Sequence, residues 1–207
     1  MIRTVFGGTG RKVLLSLGAL GVAAALAGMG TFATFTSTTS ASQSVSSGTV
    51  VIALGSTGAS TNRLTVNATG LVPNDTIQRS FDLSNTGSQD LASIAVTTTA
   101  SPSSLLDTDA TNGLQMVIDR CSVAWTESGS SPAFSYSCSG STTTIVTSRA
   151  VIQTSLSMAG LSALTAAGSD HLRLTLTFPS TAGATFQGLT STLTYSFLGT
   201  QRAGSAH

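Results

Sequence analysis

Leu172, Leu174, Leu176 and Phe178 alternate with polar residues and stop at Pro179. Period two places every second side chain on one face of an extended chain, so this run reads as a half-covered β-strand. Proline beyond it has no N–H for a ladder. The same period recurs at Leu64, Val66 and Ala68, and at Ile77, Phe81 and Leu83. It returns at Leu91 or Ile94 with Val96, and at Leu114, Met116 and Ile118, running on through Cys121, Val123 and Trp125. Phe134, Tyr136 and Cys138 follow, and Leu193, Tyr195 and Phe197 form the last strand. Thr49 to Leu54 and the Thr-rich stretch around Ile145 and Val146 add two more strands. Turn chemistry separates them: Pro73-Asn74-Asp75, Asn85-Thr86-Gly87, Asn112-Gly113, and Glu127 to Pro132. Such a pattern predicts an all-β, antiparallel β-sandwich, with a jelly roll as the specific expectation. One or two short helical turns are expected, at Leu105-Leu106 and at Leu161 and Leu164 before Gly168. Arg79 shares the Ile77/Phe81 face, which places it at a sheet edge or beside an acid.

The front of the chain is of another kind. Arg3, Arg11 and Lys12 precede an apolar run from Val13 to Met29, and Ser, Thr, Ala and Gln follow as far as Gly48. A basic region, a short apolar run and small residues define an export signal, here a signal-peptide helix over residues 1–33. Thr31 and Ala33 favour cleavage between Ala33 and Thr34, with a cut after Ala41 as the runner-up. The alternative is retention as an N-terminal anchor, although the run is at the lower limit for a spanning helix and is interrupted by glycine. Residues 34–48 then form an extended arm, residues 49–201 the β-domain, and residues 202–207 a frayed tail. The chain is expected to be secreted, extracellular or at the cell surface.

The full chain has nine basic and eight acidic residues, and three of the basic ones lie in the signal. No basic patch remains, which argues against nucleic acid as a partner. Lys12 is the only Lys, so a mature chain cannot form Lys isopeptide crosslinks. Few charges also offer little repulsion to self-association. In an exported chain, Cys121 and Cys138 are most simply a disulfide stapling two neighbouring strands at the base of a hairpin.

Catalytic chemistry is sparse. No His-Glu-x-x-His motif is present, and His171 and His207 are the only histidines. His171, beside Asp170, is placed as an exposed or edge residue. No motif supports a Ser nucleophile. Asp107, Asp109 and Asn112 lie close enough to suggest Ca²⁺, but they lack EF-hand spacing and are assigned to a solvated loop. Asn67-Ala68-Thr69 and Asn74-Asp75-Thr76 match the glycosylation pattern, as a Thr-rich chain does by chance. No catalytic residue, cofactor or metal ligand is assigned.

Four blocks, in order, carry a resemblance. They are Gly30-Thr31-Phe32-Ala33-Thr34-Phe35, then Ser47-Gly48-Thr49-Val50. Leu71-Val72-Pro73-Asn74-Asp75 with Phe81-Asp82-Leu83-Ser84-Asn85-Thr86-Gly87 comes third. Phe186-Gln187-Gly188 with Tyr195-Ser196-Phe197 and Thr200-Gln201 closes the set. Together the chain resembles the TasA/camelysin family of exported bacterial biofilm-matrix proteins; the Cys121/Cys138 hairpin lies outside the pattern. The resemblance implies a jelly roll, signal removal by an ER-type signal peptidase, and head-to-tail assembly into fibres by donor-strand complementation. An extended segment of one subunit would then complete the sheet of the next. Residues 34–47 have no charge, Pro or Gly, and Phe35 and Val45 are the candidate donor anchors. The partners on this reading are further copies of the chain, with a minor matrix or anchoring protein as an optional one. The alternatives are a monomeric secreted or surface-anchored binding module, with the arm as a Ser/Thr linker, and a camelysin-type extracellular metallopeptidase.

Overall fold

The computed structural model describes residues 48–204. Among the described residues are eleven strands: β1 (Ile52–Leu54), β2 (Val66–Thr69), β3 (Thr76–Asn85), β4 (Leu91–Ala100), β5 (Gln115–Cys121), β6 (Thr126–Ser130), β7 (Ala133–Ser137), β8 (Thr142–Ala150), β9 (Leu156–Ser157), β10 (Ser169–Thr177) and β11 (Thr190–Gln201). One short helix, α1 (Leu105–Thr108), and two 3₁₀ turns interrupt them. The strands form a five-stranded sheet of order β1-β3-β10-β5-β8, a four-stranded sheet of order β2-β11-β4-β9, and the separate hairpin β6-β7.

The topology follows from nested pairing. β2 pairs with β11, β3 with β10, β4 with β9 and β5 with β8, all antiparallel. This is one long hairpin, folded back around the β6-β7 tip. Rolling it brings β11 against β4 and β10 against β5, which yields the two sheets of a jelly roll. The expected architecture is therefore the observed one.

The alternating residues meet between the sheets. Phe81, Leu83, Met116, Ile118, Leu172, Leu174 and Leu176 on one sheet face Val66, Ala68, Ile94, Val96, Leu193 and Tyr195 on the other, all buried in one cluster. Phe81 and Phe197 touch across the layers, with ring centroids 5.3 Å apart. Each fully buried side chain of this size contributes about 1.5–3 kcal/mol through removal from water.

The turns form by the expected chemistry. Asn74 takes a φ of 78°, and its N–H donates to the Phe178 carbonyl while Phe178 N–H donates to Asp75. The turn before β3 is thereby tied to the end of β10. The Asn85 side chain, buried, accepts from Gly87 N–H and donates to the Gln89 carbonyl. A Cβ at Gly87 would lie 2.3 Å from the Thr49 carbonyl oxygen, so glycine admits the chain entering β1.

Several expectations are corrected. Glu127 to Ser130 is strand, not turn, because Glu127 pairs with Tyr136 and Gly129 with Phe134, leaving Ser131 and Pro132 as the reversal. The short helix expected at Leu161 and Leu164 is a 3₁₀ turn, Ser162–Leu164. Arg202 is not frayed: its N–H donates to the Asp90 carbonyl and its guanidinium to the Gln89 side chain. The cleavage pair Ala33/Thr34, the arm, and its anchors Phe35 and Val45 lie outside the described residues.

Candidate functional site

Two regions of the β-domain combine accessible space with specific chemistry. The first is an open edge of the sandwich. β2 accompanies β11 only from Thr190 to Leu193, whereas β4 follows β11 as far as Gln201. Beyond Leu193, no described strand pairs with β11 on its β2 side. Facing that stretch on the other sheet is β1, a three-residue strand paired only with β3. A cleft of roughly 290 Å³ opens between them, lined by Ile52, Leu54, Leu83, Tyr195 and Phe197 among others. Leu54 and Leu198 nearby are 37% and 63% exposed.

Tyr195 makes this edge chemically unusual. The residue is 9% exposed, and its hydroxyl is buried with no hydrogen-bond partner. Desolvation pushes its pKa far above the ordinary tyrosine value. A buried hydroxyl without a partner costs about 1–3 kcal/mol. The alternation that predicted Tyr195 as a core residue gives no sign of this, because a phenol is apolar over most of its surface.

The second region lies at one end of the five-stranded sheet, where Arg120, Cys121, Ser141, Asp170 and His171 line a cavity of roughly 320 Å³. Asp170 and Arg120 occupy inward-facing positions. The Asp170 side chain has no exposure, and Arg120 approaches it at 3.4 Å. Asp170 also accepts from the N–H groups of Ser162 and Ala163 at 3.0 and 2.8 Å. The carboxylate thus caps the 3₁₀ turn that covers this end of the core. Arg120 completes the closure by donating to the Gly160 carbonyl at 2.6 Å.

His171 and Asp82 sit on the outer face, with Nδ1 and Oδ1 2.7 Å apart. The expectation of an edge residue fails, since β10 lies between β3 and β5 at the centre of its sheet. A His–Asp pair is two-thirds of a hydrolytic triad, but no serine hydroxyl bonds the His171 ring among the described residues. Nor is there a group of three His, Cys, Asp or Glu able to hold a metal among them. His171 and Asp82 alone fall short of the three protein ligands of a catalytic zinc. The described residues therefore do not fit a zinc centre.

The Ca²⁺ candidates resolve differently. Asp107 is buried rather than solvated. It accepts from the Ser103 hydroxyl, Ser104 N–H and the Ser191 hydroxyl, forming a capping box for α1. Asp109 accepts from the N–H groups of Asn112 and Thr111, which holds its pKa below the ordinary aspartate value. Both carboxylates serve the local backbone, so no cation cage results.

The disulfide Cys121–Cys138 is closed, with Cα atoms 5.8 Å apart. It does not staple paired strands as expected. Cys121 ends β5, whose partners are β10 and β8, while Cys138 follows β7 of the hairpin. The bridge therefore ties the hairpin down onto the sheet. Trp125 donates through Nε1 to the His171 carbonyl at 3.1 Å, and the Arg173 guanidinium lies 4.4 Å from its ring centroid. Arg173 in turn pairs with Asp119 at 2.8 Å. Tyr136 donates its N–H to the Gln78 side chain and its hydroxyl to Glu127. Sequence reasoning missed this cover on the outer face, where His171 was placed as an exposed or edge residue.

A family model described as camelysin metallo-endopeptidase matches residues 10–206. The chain belongs to this family. The resemblance seen in the sequence blocks is thus borne out over nearly the whole length. Comparison with curated proteins found no match. Among the described residues, no helix is long and apolar enough to cross a membrane.

Proposed function

We propose that this family member is an exported structural subunit that polymerises into extracellular fibres or a surface matrix by donor-strand complementation. Export rests on the basic and apolar N-terminus followed by small residues. One observation carries assembly: β11 has an unpaired edge beside an apolar cleft lined in part by Tyr195, whose hydroxyl is buried without a partner. Unpaired edges template strand addition. An incoming strand beside Thr194 to Gln201 would satisfy the backbone groups of β11 and cover Leu54 and Phe197. Residues 34–47 of another copy have the right composition, and a head-to-tail contact of this kind does not close, so it propagates.

Electron microscopy of the chain from Thr34, beside a truncation starting at Thr49, tests this. Filaments from the first and none from the second are expected, with both folded. Filaments from both would mean that another surface drives assembly. A longer chain that stays monomeric at high concentration would favour a monomeric binding module.

Tyr195→Phe gives a second, opposed readout. In the Thr49 truncation it removes an unpartnered polar group, so urea stability should stay level or rise by about 1 kcal/mol. In the Thr34 chain it should weaken filament formation. A clear loss of stability in the truncation would mean that the hydroxyl already has a partner within the subunit.

The family's description favours a second reading, a metal-dependent endopeptidase. Stoichiometric zinc in the purified protein, with peptide cleavage abolished by a chelator, would establish it.

A further inference from the structure

A third cleft, of roughly 280 Å³, lies at the mouth between β2, β3 and the β6-β7 hairpin. Its distinctive member is Arg79. By register this residue faces inward beside Leu174, yet its guanidinium reaches the Phe134 ring at 5.5 Å. It is 7% exposed. Its Nη1 donates to the Gln78 carbonyl at 2.7 Å, and no carboxylate pairs with it. Desolvation lowers its pKa from the ordinary arginine value, with nearby Tyr136 and Glu127 opposing the shift only in part. Every other arginine in this neighbourhood is neutralised. Arg63 lies over the same Phe134 ring at 4.5 Å, but it is held by Glu127 at 2.8 Å. Arg173 is held by Asp119. The charges facing the cleft therefore sum to one positive charge, which belongs to Arg79.

The rest of the lining is neutral and rich in hydrogen-bonding groups. Thr57, Thr65 and Asn67 are among the lining residues. Phe134 is the main apolar wall, and both guanidiniums already lie against its ring. A peptide would call for a strand edge or several apolar pockets. One cation surrounded by hydroxyl and amide groups suits a polyol bearing a single acid. The volume also exceeds what a lone oxyanion fills. We propose that this cleft binds an acidic sugar, a hexuronate whose carboxylate meets the Arg79 fork while its hydroxyls meet Thr57, Thr65 and Asn67. Planar, two-pronged recognition of carboxylate is what arginine does better than lysine.

Titration of the truncation starting at Thr49, which lacks the arm, with D-glucuronate, followed by ¹⁵N NMR of the arginine Nε and asparagine amide signals, tests the site. Glucose, acetate and inorganic phosphate are run in parallel. Saturable shifts at Arg79 and Asn67 are expected with glucuronate, at least tenfold tighter than with acetate or glucose. Arg79→Lys, which keeps the charge and loses the fork, should weaken binding at least tenfold. Asn67→Asp, at an exposed strand position, sets a second negative charge against the ligand and should abolish it without depending on the buried residue. Equal binding of glucose would overturn the proposal. So would equal binding of phosphate or acetate, which would reduce the site to simple anion attraction. Unchanged affinity in Asn67→Asp would do the same. This inference stands apart from strand exchange, because a truncation that cannot assemble should still bind the sugar.

Discussion

Replacing Asp170 with alanine should cost about 3–5 kcal/mol of folding stability, the usual loss on breaking a buried charge pair from one side. The Asp170 side chain is fully buried, and it serves three donors at once: Arg120, Ser162 N–H and Ala163 N–H. Truncation leaves all three facing a void. Arg120 keeps its bond to the Gly160 carbonyl and is 28% exposed, so part of its charge remains solvated. The two amides of the 3₁₀ turn have no such relief. Asp170→Asn keeps an acceptor for one amide but loses the charge, and should fall between wild type and alanine. Urea unfolding of the Thr49 truncation measures both, with the midpoint shift read at constant slope. A loss below about 1 kcal/mol for the alanine variant would show that water or the turn itself replaces the carboxylate.

Removing the disulfide should have the next largest effect. The bridge closes a loop with a sequence separation of 17, worth about 3 kcal/mol on the chain-entropy account. Its removal should also loosen one particular part of the protein. Cys121, Trp125 and Tyr136 form a small cluster of their own, separate from the main core. Without the bridge, the hairpin is held to the sheet by that cluster and a few hydrogen bonds. Trp125 is the only tryptophan, so its emission reports on this cover alone. The Cys121→Ser/Cys138→Ser variant should shift Trp125 emission to the red under native conditions and lower the urea midpoint. An unchanged spectrum with an unchanged midpoint would mean that the hairpin docks without its covalent tie. A changed midpoint with an unchanged spectrum would place the loss in the unfolded chain, where the entropic account puts it.

Strand positions were legible because one physical rule governs them. Leu172, Leu174, Leu176 and Phe178 repeat every second residue, and all are buried. The Pro-Asn-Asp and Asn-Thr-Gly turns were legible for a similar reason, since their side chains bond their own backbone. What failed did so where two elements distant in sequence meet. Glu127 looked like turn because it is charged, yet it sits in a strand held by Arg63 and Tyr136. His171 looked like an edge residue because it is polar, yet it lies at the sheet centre under a hairpin. Asp107 looked solvated, yet it is buried against Ser191 from β11. Each polar side chain was read by its average preference for water, whereas the fold supplied a partner.

Alternation, turn residues and the paired cysteines were enough to specify a disulfide-bonded β-sandwich, because they act over a few residues and need no knowledge of neighbours. Tertiary structure alone decided which edge of β11 stays unpaired, that the Tyr195 hydroxyl is buried without a partner, and that Arg79 lacks an acid. Those properties depend on where β2 stops, where β1 lies, and which carboxylates the folded chain brings near. They are differences between what a group needs and what distant segments provide, and a linear pattern holds only the first half of that comparison.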